Sequence, residues 1–145
     1  MTAAPKKPES TPADAAARKR GLIAALLGWL IPGAGQIYLR RFGRGTLMAL
    51  SVIGMLITGL AIDGSLYGLF EPVLIFKLGA FGELGLGPLY FILRLAGLGV
   101  DPAAPLPPLS VSITNGYGAI FLISAGLMNY IAAMDAYDLA IGRRQ

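Results

Sequence analysis

Most of this chain consists of long apolar runs separated by short breaks rich in glycine, proline or charge. The apolar runs cover residues 21–39, 45–62, 84–100 and 117–140. A helix needs about 20 mainly apolar residues to cross the hydrocarbon layer of a membrane, and the runs are close to that length. The pattern therefore predicts an all-α membrane protein with about four hydrophobic helical segments, in a single transmembrane helical domain over residues 21–142.

The third apolar run is the least regular. Gly87 and Pro88 interrupt it, and residues 72–83 before it hold Lys77 among apolar neighbours. A lysine at a membrane interface can lay its stem on apolar surface and keep its amine in water. We interpret residues 72–83 as an interfacial approach and residues 84–100 as a short, broken crossing helix. The sequence leaves open whether the chain crosses the membrane three or four times.

A proline–glycine break interrupts the first run. Pro32 lacks a backbone donor, and the glycines after it loosen the helix. Trp29 and Tyr38 have the amphipathic rings that are common at membrane–water interfaces. We therefore predict a structural turn that is built from Pro32, Gly33, Gly35, Tyr38, Arg41 and Gly45.

Composition agrees with a membrane location. The 145 residues are 55% hydrophobic and 14% charged, whereas soluble domains are about 25% charged. Residues 1–20 are rich in Ala, Pro, Lys and Ser, and we expect a disordered N-terminal tail because they have little apolar area to bury. The chain contains no cysteine and no histidine, the usual ligands of zinc and haem and the commonest general base. We therefore predict no metal site, no cofactor and no catalytic residue.

Basic residues flank the apolar runs. Beyond the basic N-terminal tail, they are Arg40, Arg41, Arg44, Arg143 and Arg144. Basic residues in such places usually mark the cytoplasmic side of a membrane. Because both ends of the first run are basic, either the proline–glycine break makes that run re-entrant or one basic cluster lies on the opposite side. We expect both termini in the cytoplasm, and no nucleic-acid binding, since no aromatic and basic platform accompanies these charges.

The turn region carries a recognisable motif. It reads Gly33-Ala34-Gly35-Gln36-Ile37-Tyr38-Leu39, followed by Arg41 and Gly43-Arg44-Gly45. This motif resembles the signature of the TM-two domain family and of related bacterial membrane domains of unknown function. The resemblance implies two transmembrane helices joined by a short turn, in a bacterial cytoplasmic membrane, with no agreed activity. Arg40 stands where the family pattern has glycine, so a positive φ at this position would be strained.

Two acidic residues share one face of the last helix. Asp135 and Asp138 lie three residues apart, a spacing that places side chains side by side. One interpretation places both at the interface, facing water or the two C-terminal arginines. The other pairs Asp135 with Arg40, Arg41 or Arg44 and so joins the last helix to the turn, because acids inside membranes usually have a partner.

The last helix also carries small and amide side chains at helical spacing. Small residues four apart allow helices to approach closely, and polar side chains can hydrogen-bond between helices. The candidates for such packing are Ser124, Asn129, Ala132 and Ala136. Internal packing is the leading interpretation, and docking against another protein is the alternative.

These features favour a small multi-pass membrane protein with a structural or interaction role, such as an accessory subunit of a larger membrane complex. Its expected partners are the lipid bilayer and other membrane subunits. A transporter or channel component is the alternative, which needs a polar path that no helix face provides. A membrane enzyme acting on lipid ranks last, because two aspartates are too few for metal-assisted phosphotransfer. We interpret Glu83 either as an ion-pair partner of Lys77 or Arg94, or as one of several charged side chains that reach the membrane interface separately.

Overall fold

The computed structural model describes residues 12–70, 73–99 and 113–142, and within these ranges the chain is helical and contains no strand. The helices are α1 (Pro12–Leu30), α2 (Ala34–Tyr38), α3 (Phe42–Ala61), α4 (Leu74–Glu83), α5 (Pro88–Leu95) and α6 (Ile113–Ala140). A short 3-10 turn, Leu84–Leu86, joins α4 to α5. The prediction of an all-α protein is confirmed.

Helix α1 begins well before the first apolar run. We predicted disorder over residues 1–20, and this was wrong for residues 12–20, which form the first half of α1; residues 1–11 lie outside the described ranges. Pro12 suits the start of a helix, and Asp14 is favourable near its positive end. The alanines and basic residues that follow are strong helix formers. Helix α1 therefore has a polar, basic half and an apolar half over residues 21–30.

Helix α6 is the centre of the fold, and α3 packs against it in the antiparallel direction. Near the start of α3, Arg44 bonds to Asp135 near the end of α6. Near the end of α3, a Cβ on Gly59 would lie 2.9 Å from the Gly118 carbonyl oxygen. Both helices are long and apolar enough to cross a membrane. Below, the two ends of α6 are called the Asp135 end and the Gly118 end.

The apolar half of α1 also runs antiparallel to α6, but along only half of its length. A Cβ on Gly21 would lie 2.8 Å from the Tyr137 ring, and the Trp29 carbonyl oxygen lies 3.3 Å from Asn129 Nδ2. Ten helical residues extend about 15 Å, half of a hydrocarbon layer about 30 Å thick. Helix α1 therefore ends near the middle of α6.

After α1 the chain turns back toward the Asp135 end. Because α1 and α3 are both antiparallel to α6, the segment between them has to return to the end from which α1 came. Helix α2 makes this return: a Cβ on Gly35 would collide with the Ala24 carbonyl oxygen and would lie 2.9 Å from Ala136 Cβ. Residues 21–41 thus form a half-length hairpin, here called the N-terminal hairpin. This geometry corresponds to the re-entrant interpretation of the first run.

Residues 74–95, which include most of the third apolar run, fold as a bent pair of helices. Helices α4 and α5 meet at 109°, because Gly87 adopts a φ of 64° and Pro88 starts α5. Only glycine takes such a φ without strain, and proline fits the first position of a helix. Of residues 84–100, where we expected a short, broken crossing helix, residues 84–95 form the 3-10 turn and α5, and the break lies at Gly87. Residues 72–83, which we expected at an interface, contribute α4, whose glycine face is buried.

Both ends of the bent pair lie toward the Gly118 end of α6. Near the start of α4, the ring of Phe76 stacks on that of Tyr67, which follows α3, with the ring centroids 5.2 Å apart. After α5, the Gly99 carbonyl oxygen accepts a bond from the Leu66 N–H at 2.6 Å, just beyond the end of α3. Residues 74–99 therefore form a second half-length hairpin, here called the central hairpin, which approaches the middle of α6 from the opposite end.

The hydrophobic core lies where α3, the central hairpin and α6 meet. Val52, Leu86 and Leu122 are fully buried there. Many large apolar side chains outside this core are exposed, including Leu47 and Leu50 on α3. Within the described ranges two helices could cross a membrane, or three spans if the bent pair counts as one. This surface suits a lipid environment, which is consistent with a membrane location.

Candidate functional site

Contacts between glycine backbones close the turn of the N-terminal hairpin. Gly33 adopts a φ of 81°, and a Cβ there would collide with the Gly45 carbonyl oxygen. In return, a Cβ on Gly45 would lie 2.8 Å from the Gly33 carbonyl oxygen. Of the predicted turn residues, Pro32, Gly33, Gly35 and Gly45 are buried in the turn and its contacts, whereas Tyr38 and Arg41 are exposed where the chain enters α3.

Arg40 has left-handed backbone geometry, with a φ of 60°. The turn around it is closed by its own N–H, which donates to the Ile37 carbonyl oxygen at 2.9 Å, and by the Arg41 N–H, which donates to Gln36 at 2.9 Å. Left-handed geometry costs a non-glycine residue about 1–2 kcal/mol. The strain that the sequence pattern implied for Arg40 is therefore present in the backbone.

Gln36 joins the N-terminal hairpin to α6. Its side chain is fully buried, and Nε2 donates to the Ala132 carbonyl oxygen at 2.8 Å. The same nitrogen lies 3.8 Å from the sulfur of Met48 on α3. Three helices therefore meet at one amide. Our site prediction did not include Gln36, although it occupies the polar position of the turn motif.

Arg44 and Asp135 form an ion pair between α3 and α6. Arg44 Nη2 lies 3.0 Å from each carboxylate oxygen of Asp135. The Asp135 side chain is 4% exposed and that of Arg44 is 45% exposed, so the pair lies at the edge of the protein interior. The structure thus brings Asp135 to one of the three arginines that the sequence named, while Arg40 and Arg41 are exposed beside the turn. The two C-terminal arginines lie outside the described ranges.

The tips of the two hairpins meet beside Asn129, in the middle of α6. Asn129 Nδ2 donates to the Gly85 carbonyl oxygen at 2.8 Å and to that of Trp29 at 3.3 Å. Trp29 Nε1 donates to the Leu84 carbonyl oxygen at 3.2 Å. A Cβ on Gly87 would collide with the Trp29 carbonyl oxygen. Trp29, which we expected to be an interfacial anchor, therefore holds one tip against the other.

A second buried polar cluster surrounds the backbone of Tyr67, in the segment between α3 and α4. The Tyr67 N–H donates to Glu83 Oε2 at 2.8 Å. Its carbonyl oxygen accepts from the Tyr90 hydroxyl at 2.7 Å and from Arg94 Nη1 at 3.2 Å. Glu83, which we interpreted as an ion-pair partner of Lys77 or Arg94, is fully buried and bonds to backbone. The central hairpin thus binds both backbone polar groups of Tyr67.

The small residues predicted on α6 lie at close helix contacts. Ala132 and Ala136 are fully buried, and Ser124 is half-buried. Next to them, a Cβ on Gly126 would collide with the Gly82 carbonyl oxygen and would lie 3.0 Å from the Glu83 Cα. Asp138, half-buried near the end of α6, lines a groove between α1 and α6.

Apart from the Arg44–Asp135 pair, the buried polar side chains of this arrangement bind backbone groups of the same chain. Gln36 Oε1, Glu83 Oε1 and Asn129 Oδ1 are also buried, and they have no hydrogen-bond partner among the described residues. The described ranges contain no group of three acidic side chains that could hold a metal ion. The arrangement therefore acts chemically as a set of donors and acceptors that satisfies irregular backbone inside an apolar protein, as such backbone requires.

Sequence reasoning missed the residues that act over long chain distances. The sequence offered a sign of the role of Gln36, because it is the one amide side chain in the apolar run over residues 21–39 and follows Gly35 directly. Glu83 had a weaker one, as a single carboxylate among glycines and leucines. Nothing in the sequence indicated that the peptide of Tyr67 would be its partner, since that bond depends on the bend of the central hairpin.

Comparison with known proteins identifies one family. A family model described as "Family of unknown function (DUF6677)" matches residues 23–145, from within the apolar half of α1 to the last residue of the sequence. No curated protein and no solved structure matches the chain significantly.

Proposed function

The chain belongs to the DUF6677 family, whose function is unknown, and we propose that it is a small multi-pass membrane protein with a structural or interaction role. In this proposal it serves as an accessory subunit that binds other membrane proteins. The chain has no enzymatic activity and no cofactor in this proposal, because its buried polar groups serve its own backbone.

The observation that carries this proposal is the meeting of the hairpin tips at Asn129. A residue on the central helix donates to carbonyl oxygens of both tips. Trp29 adds a bond from one tip to the other. Polar groups used in this way hold a scaffold together and leave little for substrate chemistry. The exposed face of α3, which includes Leu47, Leu50 and Ile57, remains for lipid and for partner subunits.

The proposed topology follows from the two half-length hairpins. Because the N-terminal hairpin returns to its own side, the basic half of α1 and the arginines near Arg44 lie on one face of the membrane. The positive-inside tendency makes that face cytoplasmic, and the end of α6 returns there too. In this proposal both termini are cytoplasmic. The likeness of the turn to the TM-two domain supports a bacterial cytoplasmic membrane as the location.

Photo-crosslinking in native membranes tests the interaction role. A photoreactive residue at position 50, where Leu50 is 65% exposed on α3, should crosslink to a second protein. The matched control is position 52 on the same helix, where Val52 is fully buried and only crosslinks within the chain are expected. If all exposed positions of α3 react with lipid alone, and the chain purifies from mild detergent as a lone monomer, the accessory role is wrong.

A channel or transporter component is the second candidate. The specific observation in its favour is that two half-length hairpins meet near the middle of α6, because discontinuous segments line substrate sites in many transporters. Flux of ions or small solutes into liposomes that contain the pure protein would support this candidate. The measured flux should then change when Asn129 is replaced by leucine. Tight liposomes would leave the structural role as the better proposal.

A further inference from the structure

An apolar groove of about 520 Å³ lies on the surface between α1 and α6. Residues that line it include Ala25 and Trp29 from α1 and Tyr130, Met134, Tyr137 and Asp138 from α6. Its volume lies within the range of about 300–1,000 Å³ that is typical of small-molecule sites. Aromatic rings along an apolar groove, with one carboxylate at its end, are suited to a long amphipathic ligand.

The groove has the length and direction of one lipid tail. It begins beside Trp29, near the tip of the N-terminal hairpin, and reaches Asp138 near the end of α6. From Tyr130 to Asp138 the helix rises about 12 Å, at about 1.5 Å per residue. One half of the hydrocarbon layer is about 15 Å thick. An acyl chain of the leaflet at the Asp135 end would therefore lie along the groove.

A separate polar pocket lies on the other side of Tyr137, at the same end of the groove. It has a volume of about 270 Å³ and is lined by Asp14 and Arg18 from the polar half of α1, together with Tyr137 from α6 and Ile141 just after it. Tyr137 lines both spaces, so the apolar groove opens next to charged side chains. Both signs of charge are present at this junction, in the carboxylates of Asp14 and Asp138 and the guanidinium of Arg18.

We propose that the groove and the neighbouring polar pocket together bind one aminophospholipid, with an acyl chain in the groove, its phosphate at Arg18 and its primary ammonium group at Asp138. The pairing of signs favours this headgroup over a purely anionic one, which would meet two carboxylates. It also favours an ammonium that can donate hydrogen bonds over a quaternary one. The inference rests on the proposed membrane location and is independent of any partner subunit.

Native mass spectrometry of the full chain, released from nanodiscs of defined lipid, tests the site. In discs of equal phosphatidylethanolamine, phosphatidylglycerol and phosphatidylcholine, we expect retention of one phosphatidylethanolamine per chain. Ala25→Phe should lower the occupancy of phosphatidylethanolamine about tenfold. This is the change expected when the groove no longer buries roughly two methylene groups of the acyl chain. The matched control is Ala61→Phe, an exposed position on α3 away from the groove.

The headgroup contacts need their own pair of variants. Arg18→Gln should weaken retention of all three lipids, whereas Lys19→Gln, at the neighbouring exposed position, should not. Asp138→Asn should remove the preference for phosphatidylethanolamine over phosphatidylcholine, whereas Asp63→Asn, at the other end of the fold, should keep it.

Two results would overturn the lipid site. One is equal retention of the three lipids by the wild type, with Ala25→Phe unchanged. The other is a partner crosslink that Ala25→Phe abolishes while lipid retention stays the same, which would make the groove a protein-docking surface. The lipid measurement uses the pure chain, so a negative result there would not affect the crosslink from position 50. The lipid site and the accessory role are therefore tested independently.

Discussion

Asn129 donates a hydrogen bond to the Gly85 carbonyl oxygen at 2.8 Å, and so ties the middle of α6 to the tip of the central hairpin. The Trp29 carbonyl oxygen, 3.3 Å from the same nitrogen, belongs to the tip of the N-terminal hairpin. Carbonyl groups at a helix end have no partner within the helix, and they cannot find water in an apolar interior. One amide therefore makes it possible for two helices to end inside the fold.

Replacing Asn129 with leucine should destabilise the protein more than any other polar substitution on α6. Leucine has nearly the same size but donates nothing, so two buried carbonyl oxygens lose their donor. We expect a loss of about 1–3 kcal/mol in the free energy of unfolding, the usual cost of an unsatisfied buried group. Reversible unfolding in mixed detergent micelles measures it. Ser124→Ala, at a half-buried position on the same helix, should change stability by less than about 0.5 kcal/mol.

The ion pair between Arg44 and Asp135 should show coupling in a double-mutant cycle. We expect an interaction free energy of about 1 kcal/mol, within the range for groups in direct contact. Arg44→Gln should cost more than Asp135→Asn, because the first leaves a buried carboxylate and the second leaves a guanidinium that can reach water. Cycles of Asp135→Asn with Arg40→Gln and with Arg41→Gln are the controls. Equal coupling in all three cycles would mean that the arginines act only as a diffuse positive charge.

The helical character of this protein follows from local patterns in the sequence, and so does the break at Pro32. The length and apolarity of α3 and α6 are properties of single segments, and each is visible without knowledge of the rest. The helix over residues 12–20 was also a local property. It was missed because the charges and prolines of the tail received more weight than its alanines, which favour helix.

The paths of the hairpins could not be predicted in the same way. The bend at Gly87 depends on a positive φ, and the sequence allows glycine many other conformations. The bonds of Gln36, Glu83 and Asn129 join positions that lie far apart in the chain. Such bonds form only once the helices have packed, so the residue type indicates a need for a partner but not which backbone group supplies it.

Replacing Arg40 with glycine should stabilise the turn. Arg40 has a φ of 60°, and glycine adopts this geometry without the steric cost of a Cβ. The gain should be below the full strain of about 1–2 kcal/mol, because glycine also gives the unfolded chain more freedom. Arg41→Gly is the matched control and should destabilise, since the φ of Arg41 is −97°. A loss of stability in both variants would show that the turn relaxes differently around Arg40.

Replacing each of two glycines on α3 with alanine should change the stability of the protein in opposite directions. A Cβ on Gly59 would lie 2.9 Å from the Gly118 carbonyl oxygen and from Leu122, whereas one on Gly54 would meet nothing within 4 Å. Gly59→Ala should therefore cost about 1–3 kcal/mol through overpacking, and Gly54→Ala should gain up to about 1 kcal/mol through helix propensity. Thermal unfolding in one detergent compares the two. Similar losses in both would place a partner or a second copy against Gly54.

If the N-terminal hairpin is re-entrant, the residues before and after it lie on the same side of the membrane. If the first apolar run crossed instead, they would lie on opposite sides. Single cysteines at Lys19 and Arg41 should both react with an impermeant maleimide from the same side of the membrane, because α2 brings the chain back beside α1. Cysteines at Asp63 and Gly97, beyond α3 and α5, should react only from the opposite side. The chain has no native cysteine to compete for the reagent. Labelling of Lys19 and Arg41 from opposite sides would mean that the first apolar run crosses, and the proposed cytoplasmic clustering of the basic residues would be wrong.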